Sequence, residues 1–230
     1  MPPAFIPRLH VRDAAAAADQ LVQVFGFQSE GGAHRLRLGD QLIELHQDAA
    51  AAGHGRIDHL ALAVEDVDAA LAAALARGGV LDRDVTPDGP LFIPEFWTAG
   101  TRYAFLKGPE GARIEFCARP GTSRPGLPGH DHVGIPCIDL PAMRGFFRSL
   151  GCKDIAATTL IRAEGDVAVA FLGLGRSVIE LYCPPGQAAG SVASGGNWRG
   201  LVLDGAGPAE QIIGPEGILI HKHPQDGQVR

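Results

Sequence analysis

Two histidines and two glutamates stand out by type and position. His59 and His132 each fall seven residues before an aspartate, Asp66 and Asp139, and each opens a run of apolar and small residues. Glu115 and Glu180 each sit inside a second kind of run, Arg113-Ile114-Glu115-Phe116 and Val178-Ile179-Glu180-Leu181. Imidazole nitrogens with carboxylate oxygens are the donors that suit borderline divalent ions, and a carboxylate can also serve as a general base. A lone His or Glu on a strand is an ordinary solvated group. Four of them at matching places in a repeat point to one shared centre.

The repeat is visible in the elements that must carry these residues. Four strand-like segments each run into an aspartate: Ile6 to Asp13, His59 to Asp66, His132 to Asp139, and Asn197 to Asp204. After the first three, apolar residues recur at helical spacing, as in Leu21 and Phe25, Val67, Leu71 and Leu75, or Met143, Phe147 and Leu150. Asp13, Asp66 and Asp139 therefore read as helix N-caps, and Gly26, Gly78 and Gly151 as helix stops. Strand-and-turn pattern follows each helix. An apolar strand ends each unit, around Glu44, Glu115, Glu180 and His221, and a Gly-Pro-Glu-Gly turn precedes two of them, at 108–111 and 214–217. The fourth unit is shortened and shows no helix.

Side chains on a strand alternate between faces. His59 shares its face with Ala61 and Ala63, and His132 with Gly134 and Pro136, while the apolar residues between them face the helices. A polar residue among small neighbours marks an open hollow better than it marks a packed core.

Units with His on the first strand and Glu on the last resemble the vicinal oxygen chelate superfamily, which includes glyoxalase I, methylmalonyl-CoA epimerase, fosfomycin-resistance proteins and extradiol dioxygenases. The resemblance rests on Asp58 to Asp66, Gly108 to Phe116, His132 to Asp139 and Ser177 to Leu181. It implies an α+β fold of four βαβββ modules, the last truncated, forming two cup-shaped mixed β-sheets flanked by helices. Residues 1–119 would hold modules 1–48 and 57–119, and residues 120–230 would hold modules 129–184 and 197–224.

Counting seven residues back from each aspartate gives Ile6, His59, His132 and Asn197 as first-strand ligand positions. Pairing of modules 1–2 and 3–4 would give two cups of three candidates each. Pairing of 2–3 and 1–4 would place His59, Glu115, His132 and Glu180 together and leave a degenerate cup with Glu44 and His221. The second arrangement is favoured because it concentrates the losses in one cup.

The ligand pattern is most like glyoxalase I. It implies one divalent metal ion (Ni, Co, Zn, Mn or Fe) and a metal-dependent isomerase or lyase that removes a proton beside a carbonyl, with the enediolate stabilised on the metal. Glu115 would be the base and Glu180 the second carboxylate. Two alternatives follow from the same resemblance: an extradiol-type Fe(II) dioxygenase using His132, Glu180 and His221, or a non-catalytic protein that sequesters a small ligand. The aromatic stretch 91–103 supplies Phe96, Trp97 and Arg102 as substrate-binding candidates, and Tyr182 shares a face with Glu180.

Composition narrows the classes. The chain has 230 residues, 46% of them hydrophobic, with a net charge of −6 and no basic run, so a nucleic-acid or anionic-membrane surface is not expected. No apolar stretch is long enough to span a bilayer, no signal-peptide pattern is present, and Cys117, Cys137, Cys152 and Cys183 form no CxxC pair. These features predict a cytoplasmic protein with reduced thiols, acting on a small molecule as a monomer of fused modules or a homodimer. His10, His34, His46, His54, His130 and His223 lack a supporting pattern and read as structural or solvated.

Overall fold

The computed structural model describes residues 3–32, 34–122, 126–186, 196–205 and 208–223. The linker readings at 123–125 and 187–195 lie outside the described residues.

The first stretch of chain forms β1 (Ala4–Val11), α1 (Ala14–Gln20), β2 (Gln28–Ser29), β3 (Arg35–Leu38) and β4 (Gln41–Gln47), with a π-helical turn over Leu21–Phe25 continuing α1. The second forms β5 (His59–Ala63), α2 (Val67–Ala76), β6 (Val80–Leu81), β7 (Leu91–Ile93), β8 (Thr101–Lys107) and β9 (Arg113–Ala118). The third forms β10 (Gly129–Pro136), α3 (Leu140–Ser149), β11 (Lys153–Leu160), β12 (Val167–Leu174) and β13 (Ser177–Cys183). The fourth holds only β14 (Trp198–Asp204), β15 (Glu210–Ile213) and β16 (Leu219–His223).

Each helix starts where its aspartate says it should. The Asp13, Asp66 and Asp139 carboxylates accept from the N–H of Ala16, Ala69 and Ala142, at 3.0, 3.0 and 2.9 Å. Each takes up one of the donors that a helix N-terminus leaves without a partner. No described helix is long and apolar enough to cross a membrane.

The strands assemble into two mixed sheets flanked by the three α-helices. One runs β15-β16-β14-β1-β4-β3-β2 and the other β11-β12-β13-β10-β5-β9-β8-β6, with β7 paired to β8. The chain thus joins its second unit to its third through β5 and β10, and its first to its fourth through β1 and β14. Both junctions are antiparallel, while each unit's first and last strands pair in parallel.

The expectation of two cup-shaped sheets is corrected: neither sheet closes. The first ends on β15 and β2, the second on β11 and β6, and these end strands do not pair with each other. Closure needs edge strands long enough to carry a ladder across the gap. β2 and β6 have two residues each, and among the described residues the fourth unit shows neither an α-helix nor a third strand after β14.

One hydrophobic core joins both halves. Leu9 and Leu201 from one sheet meet Leu60, Ile114 and Ile135 from the other, with Leu21, Leu71 and Phe147 from the helical segments between them. The two Gly-Pro-Glu-Gly turns lock neighbouring units. Glu110 accepts from the N–H of Arg12 and Asp13 at 2.7 and 3.1 Å, and Glu216 from Ile138 and Asp139 at 2.9 and 3.0 Å. Trp198 fixes one sheet to the other by donating its indole N–H to the Arg113 carbonyl at 3.0 Å.

Candidate metal centre

The middle of the larger sheet explains how four distant residues meet. In the β5–β10 junction His132 lies opposite Ala61 and Gly134 opposite His59. The parallel neighbours add Glu115 beside Ala61 and Glu180 beside Gly134. Two rows result, Glu115–Ala61–His132 and His59–Gly134–Glu180, each with a small residue between its polar ends. The small residue is what lets each imidazole lean across. A Cβ at position 134 would lie 2.0 Å from His59 Cε1 and 2.3 Å from its Nε2.

The four side chains converge. His59 Nε2 lies 3.1 Å from His132 Nε2, 3.2 Å from a Glu115 oxygen and 3.5 Å from a Glu180 oxygen. His132 Nε2 lies 3.3 and 3.2 Å from the same two oxygens. Donors about 2.1 Å from one ion stand roughly 3.0–3.4 Å apart at octahedral or tetrahedral angles, so this spacing fits a single cation. Among the described residues, His59, His132 and Glu180 form one cluster with metal-ligand spacing, and Glu115, Cys117 and His132 form another.

The far side of each imidazole is held in the same way. His59 Nδ1 is 2.9 Å from the Asp58 carboxylate and His132 Nδ1 is 3.0 Å from that of Asp131. These bonds set the Nδ1–H tautomer and turn both Nε2 lone pairs inward, the arrangement by which carboxylates orient metal-ligating histidines. Arg113 grips Asp58 at 2.7 Å and Arg119 grips Asp131 at 3.1 Å. Arg113 is shared with Asp82 at 3.1 Å, and the charge of Glu115 and Glu180 is what a divalent ion would neutralise.

Without such an ion, protons take its place. Burial disfavours charge on His59, but hydrogen bonds to Asp58, Glu115 and Glu180 outweigh it and hold the imidazole well above its ordinary pKa. Burial likewise opposes charge on His132, and Glu180, Asp131 and Glu115 outweigh it. Burial would raise Glu180, yet the charge of His132 and hydrogen bonds from both imidazoles bring it down to about 2. Burial pushes the Cys117 thiol well up, reinforced by Glu115 and Asp131, so it stays protonated.

The cluster forms the floor of a cavity of about 260 Å³. Phe96, Trp97, Phe105, Leu160, Val169 and Phe171 supply apolar wall. Phe171 meets Phe96 edge-on at 5.2 Å and Trp97 at 4.9 Å, and Phe105 meets His59 edge-on at 5.0 Å. Trp97 adopts a left-handed backbone (φ 55°), and the Arg119 guanidinium stacks 3.8 Å over its ring, tying the wall to the Asp131–His132 pair. Tyr103 and Tyr182 also line the cavity. Burial, with nearby Glu115, pushes the Tyr103 hydroxyl up to about 12.

His59, His132, Glu115 and Glu180 thus come together, with Phe96, Trp97 and Tyr182 around them. Arg102 stands apart: its guanidinium holds Asp68 at 2.7 Å on the exposed side of α2 and does not line this cavity. His221 lies in the other sheet, so the set His132, Glu180 and His221 is not assembled. Asp58, Asp131, Cys117, Phe105 and Phe171 were not among the sequence candidates. For the two aspartates, the signal was the Asp-His pair repeated at 58–59 and 131–132. His130, two residues before His132, is structural: it accepts from the Val178 N–H at 2.8 Å and meets the Gln41 amide.

No protein-family model and no curated protein matches the chain. Solved structures do. Glyoxalase I from Zea mays superposes with a TM-score of 0.69 at 16% identity, covering 96% of this chain and 93% of that one. A variant of the same enzyme gives 0.72 at 16%, with the same coverage. A putative dioxygenase from Bacillus subtilis subsp. subtilis str. 168 gives 0.57 at 13%, covering 96% and 84%. At these identities the likeness shows the fold alone, one shared with these glyoxalase I and dioxygenase structures. The His, Glu and Cys clusters are consistent with a metal-dependent enzyme of that fold.

Proposed function

We propose that this protein is a metal-dependent isomerase or lyase that removes a proton from the carbon beside a carbonyl. One observation carries the reading: two imidazoles and two carboxylates converge within 3.1–3.5 Å at the floor of a cavity walled in part by Phe96, Phe105 and Phe171. A divalent ion held by His59, His132, Glu115 and Glu180 would supply Lewis-acid stabilisation of the negative charge that develops as the proton leaves.

The chain's own residues do the rest. Glu115 takes the proton, and Glu180, on the neighbouring row, holds or returns it. Without metal the charged imidazoles keep both carboxylates ionised in spite of burial, and a bound divalent ion would take over that role. Asp58 and Asp131 keep Nε2 of each histidine directed inward. Phe96, Phe105 and Phe171 exclude water and take an apolar substrate body. The volume falls below the roughly 300–1,000 Å³ usual for drug-sized ligands, so the substrate is small. Arg113, the one guanidinium lining the cavity, is engaged by Asp58 and Asp82.

The test is proton exchange at carbon. Protein loaded in turn with Ni²⁺, Co²⁺, Zn²⁺, Mn²⁺ or Fe²⁺ is incubated with small α-hydroxyketones in D₂O and followed by NMR. Wild type should incorporate deuterium, and Glu115→Gln should lose about 10²–10⁴-fold in rate. Exchange unchanged in Glu115→Gln would defeat the assignment of the base.

The triad His59, His132 and Glu180 favours one other reading, because two histidines and one carboxylate are the ligand set of ferrous oxygenases. Oxygen uptake with a catechol, seen with Fe²⁺ alone among these metals, would favour it over proton transfer.

A further inference from the structure

The smaller sheet repeats the pairing that builds the metal floor and fills it differently. Its registers set Ile6 opposite Val202 and Arg8 opposite Gly200, with Glu44 beside Arg8 and His221 beside Val202. The larger sheet sets His132 opposite Ala61 and Gly134 opposite His59, with Glu180 beside Gly134 and Glu115 beside Ala61. Ile6 therefore takes the place of His132, and Gly200 that of His59. The position counted from Asp204, Asn197, is corrected to Gly200.

The His59–Gly134 pair has become Gly200–Arg8. Where an imidazole leans over a glycine in one sheet, a guanidinium stands opposite a glycine in the other. Ile6, Val202 and Leu42 pack together as an apolar cluster beside it.

A cavity of about 450 Å³ opens here, lined by Arg8, Arg199, His10, His221 and Gln211, with Ile213 and Leu219 as its apolar part. Among the described residues no carboxylate lines it. Those that pair with the arginines sit behind them: Glu44 at 3.2 Å from Arg8 Nε and Asp48 at 2.6 Å from Arg199 Nη1. They brace the guanidiniums as Asp58 and Asp131 brace the imidazoles. His46 stacks on His10 at 5.1 Å, and His223 lies 3.5 Å from Arg8 Nη2. Burial, and then the charges of Arg199, His46 and Arg8, pull His10 down to about 4, although Asp48 opposes them. The two guanidiniums thus line the hollow while Glu44 and Asp48, which pair with them, do not.

We propose that this second cavity binds a small organic oxyanion, with Arg8 and Arg199 holding the anionic oxygens and Ile213 and Leu219 taking a short apolar body. The inference stands on the second cavity alone and does not depend on the reading of the metal centre.

Calorimetric titration of the full chain with inorganic phosphate, malonate and phenyl phosphate tests it. Saturable 1:1 binding is expected. Preference for malonate identifies a carboxylate site and preference for the phosphates a phosphoryl site, and phenyl phosphate should bind more tightly than inorganic phosphate if the apolar wall is used. Arg8→Gln and Arg199→Gln should each weaken binding about tenfold or more, while His59→Ala, which acts in the other sheet, should leave it unchanged. Arg8 holds Glu44 in a partly buried site, so Arg8→Gln could unfold the sheet. Arg199→Gln, on a more exposed strand end, provides the second measurement, and melting curves of both show whether the fold is intact. The proposal is overturned if none of the three anions binds saturably, if folded Arg199→Gln binds like wild type, or if His59→Ala removes binding.

Discussion

Gly134→Ala is the sharpest probe of the candidate metal centre, because a single methyl group meets the His59 ring directly. Position 134 lies in an ordinary strand conformation, so the backbone itself accepts alanine. The obstacle is the His59 ring, 2.0 Å from the new Cβ at Cε1, 2.3 Å at Nε2 and 2.5 Å at Nδ1. Carbon atoms pack at about 3.5 Å, so the ring must retreat by roughly 1.5 Å. Metal–ligand distances tolerate only about ±0.2 Å, and a retreat of that size takes Nε2 out of the ligand set.

Overpacking a tight interior costs about 1–3 kcal/mol, which for a chain of this size lowers Tm by roughly 2–12 °C. The affinity loss should exceed the about 10–100-fold that removing an outer-shell partner costs. Elemental analysis and calorimetric metal titration of Gly134→Ala measure the effect. Gly145→Ala, on α3 with nothing within 4 Å of its added Cβ, serves as the control and should bind metal as wild type does. One equivalent of metal bound at wild-type affinity by folded Gly134→Ala would refute the geometry.

Four further outcomes follow from the same site. His59→Ala and His132→Ala should lose the same single metal to similar extents, since their Nε2 atoms are 3.1 Å apart; metal lost from only one variant would separate them into two sites. Asp131→Asn keeps the shape but not the charge behind His132, and should weaken metal binding about 10–100-fold while phenyl phosphate affinity stays constant. Both imidazoles are raised without metal and must be deprotonated to ligate, so metal affinity should climb with pH throughout the range below the raised values and level off above them. The metal-free protein should behave in the opposite sense. A raised histidine contributes stability below about 6.5 that disappears as pH rises through its folded-state value, so apo melting temperatures should fall over the interval in which metal binding strengthens.

Much of the site could be read from the chain because the helix caps act as rulers. Asp66 and Asp139 both cap helices, which fixes the distance from strand start to helix start and makes the count back to His59 and His132 reliable. Asp204 caps no described helix, and the same count lands three residues away from Gly200, where the ladder places the equivalent position. The open sheets were not legible because closure depends on edge-strand length and partner choice, whereas alternation reports only which face is buried. Arg102 was chosen for its aromatic neighbours, but β8 turns it to Asp68 on the outer face. Phe171 and Phe105 look like ordinary core residues within strands, and only the fold sets them beside the imidazoles.

The joining of first unit to fourth has a consequence for how the molecule comes into being. Ala63 pairs with Gly129, 66 residues on, whereas Ala4 pairs with Asp204, 200 residues on. Closing the longer loop costs about 1 kcal/mol more in chain entropy, and on a ribosome its far strand, β14, emerges after the β5–β10 pair. The metal floor can therefore form on a nascent chain, while β1 waits beside β4 with one edge bare until β14 arrives. A truncated product would keep the central β5–β10 pairing and expose that edge, an open template for aggregation. The second cavity, built from the earliest and latest strands, exists only in a chain synthesised through β16.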